Sequence, residues 1–471
     1  MTQLDPTVTS MSTSITSKAR QGEQGNPLRS RLISGPLAFL FASTFCTLTS
    51  FELLISVTPM YAKASGADSV GAGLVTGVLL AGTVAAELVS SFVMRHFGYR
   101  TVLAAGAALL GLPSIVLLVH GSLTVIVIAS VLRGFGFGLG TVVMGTLTAV
   151  LVPADRRGEG LGLLGIADTV PAVVALPSGV WLAGRLGFSV VVALAAATAL
   201  IPLGTIPWLP GHTGQDGRRG ADSRQHDGSA IGLLDGLRRA GLLRPALIFS
   251  ASTVAAGIVV SFLPLAGVTR DVAAGGLLAQ ALTGAIGRWW AGRCGDRHGH
   301  TRLLMPGLVI AALGMAGLIW LEIPAAVITG MCLFGAGFGI LQNSTYVLMI
   351  ERVPQSGLGT ASAIWNLAYD GGYGAGPALF GLVVGISGYS AAFALTGLVV
   401  LAGLPLARRD RSGQEATGDG RVRPSPFDQH VVEQQEQQAE DGRREHGLGK
   451  GVGVQAHGAG PSRSVREVAE C

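Results

Sequence analysis

Gly292-Arg293-Cys294-Gly295-Asp296-Arg297-His298-Gly299-His300 is a knot of charge and glycine with a long apolar run on each side. Upstream, residues 275–291 are interrupted only by Gln280 and Arg288 among charged and amide side chains. Downstream, residues 303–321 carry no charge. Two lipid-crossing helices joined by a short basic turn read this way. In such a turn Asp296 pairs or caps at the helix ends, between arginines. Gly292 and Gly299 permit close helix approach and a sharp reversal.

The rest of the chain repeats that pattern. Hydrophobic residues make up 49% of the sequence, charged ones only 13%, and mean hydropathy is +0.53. Soluble domains carry roughly a quarter charged residues, so a soluble globular chain is excluded. Apolar segments of about 20 residues recur, which is the length a helix needs to cross a bilayer. The formal charge of +5 does not point to nucleic acid, because the arginines fall in short clusters between apolar runs. That placement follows the positive-inside rule. Cys46 and Cys332 lie within apolar runs, Cys294 in the quoted turn and Cys471 at the end, with no metal-ligand spacing between any two. A disulfide framework and a metal site are therefore not expected.

The composition predicts an all-α membrane protein of twelve transmembrane helices in two six-helix bundles. Residues 1–35 read as a disordered cytoplasmic tail, 36–209 as the first bundle, and 210–244 as a polar linker containing a short surface helix. Residues 245–407 form the second bundle, and 408–471 a second disordered tail. Arg95, Arg100, Arg156, Arg157, Arg218, Arg219, Arg293, Arg297, Arg302 and Arg352 fall on one side of this threading. Only Lys63, Arg185 and Arg270 fall on the other, so both termini are expected in the cytoplasm and the protein in the inner membrane.

The halves resemble each other at a shift of about 200 residues. Met94-Arg95-His96-Phe97-Gly98 aligns with Gly295-Asp296-Arg297-His298-Gly299, and Phe135-Gly136-Phe137-Gly138 with Phe334-Gly335-Ala336-Gly337. Val152-Pro153 aligns with Val353-Pro354, and Leu176-Pro177 with Gly376-Pro377. Over roughly Pro36 to Ala407 the chain resembles the major facilitator superfamily, and within it the twelve-helix drug-exporter-like branch. Gly292, Asp296, Arg297 and Gly299 match that family's cytoplasmic loop signature, which implies a gating loop. In the first half Arg95 stands where the signature has its acid. Gly372, Gly376 and Pro377 resemble the antiporter signature, a helix-packing motif that normally belongs to helix five. Arg133 stands where the family has an arginine linked to proton transfer.

Ionisable side chains within spans are expensive, so each is a candidate functional group. Arg133 lies about ten residues into the fourth span, roughly 15 Å from its outer end. A buried arginine stays charged and needs a carboxylate or carbonyl beside it. Glu87 and Asp168 lie at similar depth and are its expected partners, the three forming a proton-coupling set. The alternative for each is a fixed structural pair. Asp370 lies at mid-depth beside Trp365, Asn366 and Tyr369, a combination suited to a cationic or polar cargo. Asn343 on the tenth span is a further cavity candidate. Glu52 is expected at the solvated outer end of its span, and Arg288 to snorkel to the cytoplasmic interface.

The expected function is secondary active transport by alternating access. The most direct form is proton-coupled export of a drug or secondary metabolite, by a monomer without a cofactor. Import of a sugar or other nutrient uses the same acids and stays open. A membrane enzyme would need a nucleophile or metal cluster at depth, whereas His96, His120, His298 and His300 lie in turns.

Overall fold

The computed structural model describes residues 35–151, 157–208, 233–354 and 357–416, and every regular element among them is helical. The N-terminal tail, most of the linker, the turn around Arg156 and the tail beyond 416 lie outside the described residues. In the first half α1 (Gly35–Ile55) continues into α2 (Val57–Ala64), followed by α3 (Ser69–Val119), α4 (Leu123–Leu151), α5 (Arg157–Arg185) and α6 (Phe188–Thr205). The short α7 (Leu233–Arg238) precedes α8 (Ala240–Phe262), α9 (Arg270–His298), α10 (Thr301–Gly317), α11 (Pro324–Glu351), α12 (Leu358–Leu401) and α13 (Leu404–Ala416). Among the described residues, eight stretches are able by length and composition to cross a bilayer, and Phe188–Gly204 and Thr301–Gly317 are apolar but shorter. α9 has the length, yet carries Arg288 within it and charge at both ends.

Two long helices are each two arms joined at one glycine. α3 breaks at Gly98 (φ 74°, ψ 163°) and α12 at Gly388 (φ 75°, ψ 172°), a backbone region that side chains with a Cβ avoid. These breaks belong to a larger regularity. All six positive-φ glycines among the described residues fall into pairs 201 positions apart: Gly66 with Gly267, Gly98 with Gly299, and Gly187 with Gly388. Helix starts follow the same offset. The Asp68 side chain accepts from Gly71 N–H at the start of α3, and Thr269 accepts from Val272 N–H at the start of α9. The duplication read from the sequence is thus also a duplication of backbone conformation.

Glycine rows set the helix spacing in both halves. On α4, a Cβ at Gly134 or Gly138 would run into the Leu79 or Thr83 carbonyl of the first arm of α3, while Gly136 abuts Gly106 in the second arm. On α11, Gly335 and Gly339 abut Gln280 and Gly284 of α9, while Gly337 abuts Gly307 and Ala311 of α10. Each row therefore wedges one helix between two neighbours at backbone contact. Two apolar cores lie wholly in the first half. The largest fills the second half and takes in Phe51, Leu79, Leu80 and Leu176 of the first.

One difference from the sequence reading concerns the second boundary. The expected end of the bundle at 407 falls inside α13, whose Asp410 is buried. Arg352 at the end of α11 meets both Asp410 oxygens (3.1 and 2.6 Å) and donates to the Gly241 carbonyl at 2.9 Å. A polar helix is held against the bundle because its buried acid meets a bidentate cation there.

Candidate functional site

Arg133 is 1% exposed on α4. Its Nη1 donates to the Leu110 carbonyl (3.3 Å) and to Ser114 Oγ, both on the second arm of α3, and its Nη2 to the Ser50 carbonyl of α1 (3.2 Å). Its Nε has no partner among the described residues. The expected pairing with Glu87 or Asp168 is not what the structure has: carbonyl dipoles of two helices solvate the guanidinium instead. Depth along a helix put the three residues together in the sequence reading, and rotation about the helix axes separates them.

The acids gather elsewhere. Glu87 on α3 and Asp370 on α12 come within hydrogen-bonding reach of each other, one from each half. Asp168 on α5 lies within electrostatic reach of Glu52 on α1 and of Arg288 on α9. Arg288 Nη2 also donates to Thr169 Oγ1 of α5 at 3.0 Å. Arg288 therefore points across to the other half rather than to the cytoplasmic interface. Glu52 also differs from expectation. Its helix continues through α2 to Ala64, which moves Glu52 inward from the span's end and within electrostatic reach of Asp168, Tyr369 and Tyr373.

An aromatic wall stands beside these groups. Trp365 stacks on Phe249 of α8 (centroids 4.6 Å), Tyr369 lies 5.8 Å from Trp365, and Tyr373 stacks on Tyr369 at 5.8 Å. Trp365 Nε1 is fixed by Thr345 Oγ1 of α11 at 3.2 Å. Trp365, Tyr369 and Tyr373 follow at four-residue spacing on one face of α12, and Asp370 follows Asn366 by one turn on the adjoining face. Asn366 is exposed. Phe249, Tyr373 and Thr169 escaped the sequence reading. For Tyr373 a signal existed, the continued spacing from Trp365 through Tyr369.

The remaining candidates occupy two other places. Asn343 is half-buried on α11, with its Oδ1 unpaired among the described residues and its Nδ2 facing Gly292 of α9, away from the aromatic wall. In the turn, Arg297 is exposed, Gly299 reverses the chain at φ 86°, and Asp296 Oδ1 lies 3.4 Å from His300 Nε2. Gly372 and Gly376 abut Ser250, Thr253 and Val254 of α8, and the Pro377 carbonyl lies against Gly73 of α3. This stretch of α12 thus packs on its own half and on the other half at once.

On the face opposite the basic turns the halves are tied together. Arg270 Nη1 donates to the Ala183 carbonyl (2.9 Å), Arg185 pairs with Asp271 at 3.4 Å, and Thr76 and Ser261 join hydroxyls at 3.0 Å.

A duplicated, all-helical membrane protein with an acid and aromatic cluster between its halves is the class that fold and site define. Within that class, the chain belongs to the Major Facilitator Superfamily, whose family model matches residues 40–377 and 279–436. It is 27% identical over 116 residues to an uncharacterized MFS-type transporter of Salmonella typhimurium, a match covering 25% of this chain and 30% of that relative's length. The fold is similar to a POT family transporter in complex with 5-aminolevulinic acid (TM-score 0.65, 14% identity, 79% of this chain and 96% of the other). It is also similar to a D-xylose–proton symporter (TM-score 0.62, 17% identity, 79% and 96%).

Proposed function

We propose that this chain is a secondary active transporter, a monomer crossing the inner membrane twelve times with both termini in the cytoplasm. In this reading α3 and α12 each cross twice, α1 with α2 cross once, and α4, α5, α6, α8, α9, α10 and α11 once each. The two six-helix halves rock about the acid and aromatic cluster, opening it to one side at a time. The cargo is a small, partly apolar cation, exported in exchange for protons. Four carboxyl groups against the single guanidinium of Arg288 favour a positive guest, and the wall of Trp365, Tyr369 and Tyr373 favours an aromatic or cationic one.

The observation that carries this reading is that Glu87 and Asp370, one from each half, stand within hydrogen-bonding reach of each other. Two carboxyl groups share a hydrogen bond only when one of them holds a proton, because two like charges at that distance repel. A cation arriving between them replaces the proton and the bridge together, so cargo and proton exclude each other. That exclusion is what exchange requires. Asp168, held near Arg288, takes the second coupling position, and Arg133 supports the bundle from its carbonyl cage.

Ethidium accumulation in cells lacking their main efflux pumps tests the proposal. Expression is expected to lower accumulation, and a protonophore to abolish the effect. Asp370→Asn and Glu87→Gln are each expected to abolish it too, and Asp168→Asn to weaken it. Accumulation unchanged by expression, for ethidium and for a panel of other cations, sinks the export reading. The solved D-xylose–proton symporter favours one second reading, proton-driven sugar uptake. Uptake of radiolabelled sugar that rises with expression would select it.

A further inference from the structure

The basic turn at residues 292–300 has a feature that the loop signature does not explain. His300 lies one residue before α10, and its ring is 4% exposed although it sits in a charged loop. The ring occupies the space over Gly295, where any Cβ would overlap its Cε1 and Nδ1 atoms. Its Nε2 meets Asp296, whose side chain is 77% exposed. Since a carboxylate only accepts, Nε2 carries the hydrogen of that contact. Nδ1 is a buried ring nitrogen without a partner among the described residues.

Leaving a buried polar atom unpaired costs about 1–3 kcal/mol, and a ring free to turn into water would avoid that cost. The seat over Gly295 must therefore be held by packing. Below it the chain is closed by Gly299 N–H on the Gly295 carbonyl (2.7 Å) and by His298 Nδ1 at the Cys294 carbonyl (3.3 Å). Cys294, 7% exposed, packs with Leu303 and Ile340, and its Sγ lies 3.7 Å from Nδ1 of His298 in this turn.

We infer that His300 is a positioning residue for the gating turn: its ring, seated in the notch that Gly295 leaves, sets the junction of α9 with α10 and holds Asp296 on the basic face. The inference rests on the reading of this turn as a gate in a transporter, but its structural half can be tested alone. The two glycines that flank Asp296 then have separate duties. Gly299 turns the chain, and Gly295 makes room for the ring.

The test uses the full chain in inside-out membrane vesicles with Cys46, Cys332 and Cys471 replaced by serine, so that N-ethylmaleimide reads Cys294. His300→Ala is expected to raise the alkylation rate about tenfold, and Gly295→Ala to do the same by expelling the ring. His300→Gln, which keeps a donor for Asp296, is expected to restore much of the protection. Combining His300→Ala with Gly295→Ala should slow labelling again, because the new Cβ enters the space the ring has left. Purely additive rates in that pair, or slow labelling in Gly295→Ala alone, overturn the inference. Should Gly295→Ala fail to accumulate, the contrast of His300→Ala with His300→Gln decides, and equal rates in those two overturn it. Ethidium efflux by Asp296→Asn, measured in parallel, separates the two levels. Full efflux there defeats the gate, whereas fast Cys294 labelling in His300→Ala supports the seat regardless.

Discussion

Arg133 donates both terminal nitrogens to acceptors on α1 and on the second arm of α3, so one side chain joins three helices, its own included. Hydrogen bonds from a charged donor contribute about 1.5–3 kcal/mol each, and a buried cation without them would be strongly destabilising. Arg133→Gln is therefore expected to lower the melting temperature of the detergent-purified protein markedly, with a loss on the order of 3 kcal/mol. Any transport that survives should keep its dependence on the proton gradient. A variant of unchanged melting temperature whose efflux no longer responds to a protonophore would return Arg133 to the coupling set. The sequence told that this arginine is buried and needs a carbonyl or a carboxylate. It did not tell which, because hydropathy fixes depth along a helix and leaves its rotation open. The same gap misassigned Arg288, whose depth allowed snorkelling while its azimuth turned it toward Thr169.

Helices here are spaced by what is missing from them. A Cβ at Gly134 would overlap the Leu79 carbonyl, whereas at Gly145, on the same helix, it meets nothing within 4 Å. Overfilling a tight contact costs about 1–3 kcal/mol. In a helix, alanine is otherwise favoured over glycine by about 1 kcal/mol. Gly134→Ala is expected to lower the yield and melting temperature of folded protein, and Gly145→Ala to leave both equal or higher. Equal losses at the two positions would mean that backbone contact does not set the α3–α4 spacing. The glycine rows were legible as packing surfaces because they lie inside apolar runs with no phosphate-loop lysine after them. α13 was not legible, since its composition is that of a solvated segment. The Arg352–Asp410 pair, distant in sequence, together with Leu404, Leu406 and Ala407 packed into the largest core, shows why it is ordered against the bundle.

For the molecule as a whole, duplication was the strongest signal in the sequence, and the 201-residue spacing of its positive-φ glycines restates it in backbone terms. What the halves do to each other could not be read, because contacts between them pair residues with no common motif. On the face opposite the basic turns, the exposed Arg185–Asp271 pair contributes at most about 1 kcal/mol. Arg270 on the Ala183 carbonyl and the buried Thr76–Ser261 contact are the firmer ties. If transport requires this face to open, a covalent tie there must stop it. Hydroxyl oxygens 3.0 Å apart place the two β-carbons within reach of a disulfide, for which Cβ separations are about 3.8 Å. Thr76→Cys with Ser261→Cys, in a background with the native cysteines replaced, is expected to oxidise readily with copper phenanthroline. Ethidium efflux should cease on oxidation and return with dithiothreitol, while each single variant stays insensitive to both reagents. Efflux at an undiminished rate from the fully oxidised double variant would mean that the halves do not part on this face, and alternating access about the Glu87–Asp370 bridge would fall with it.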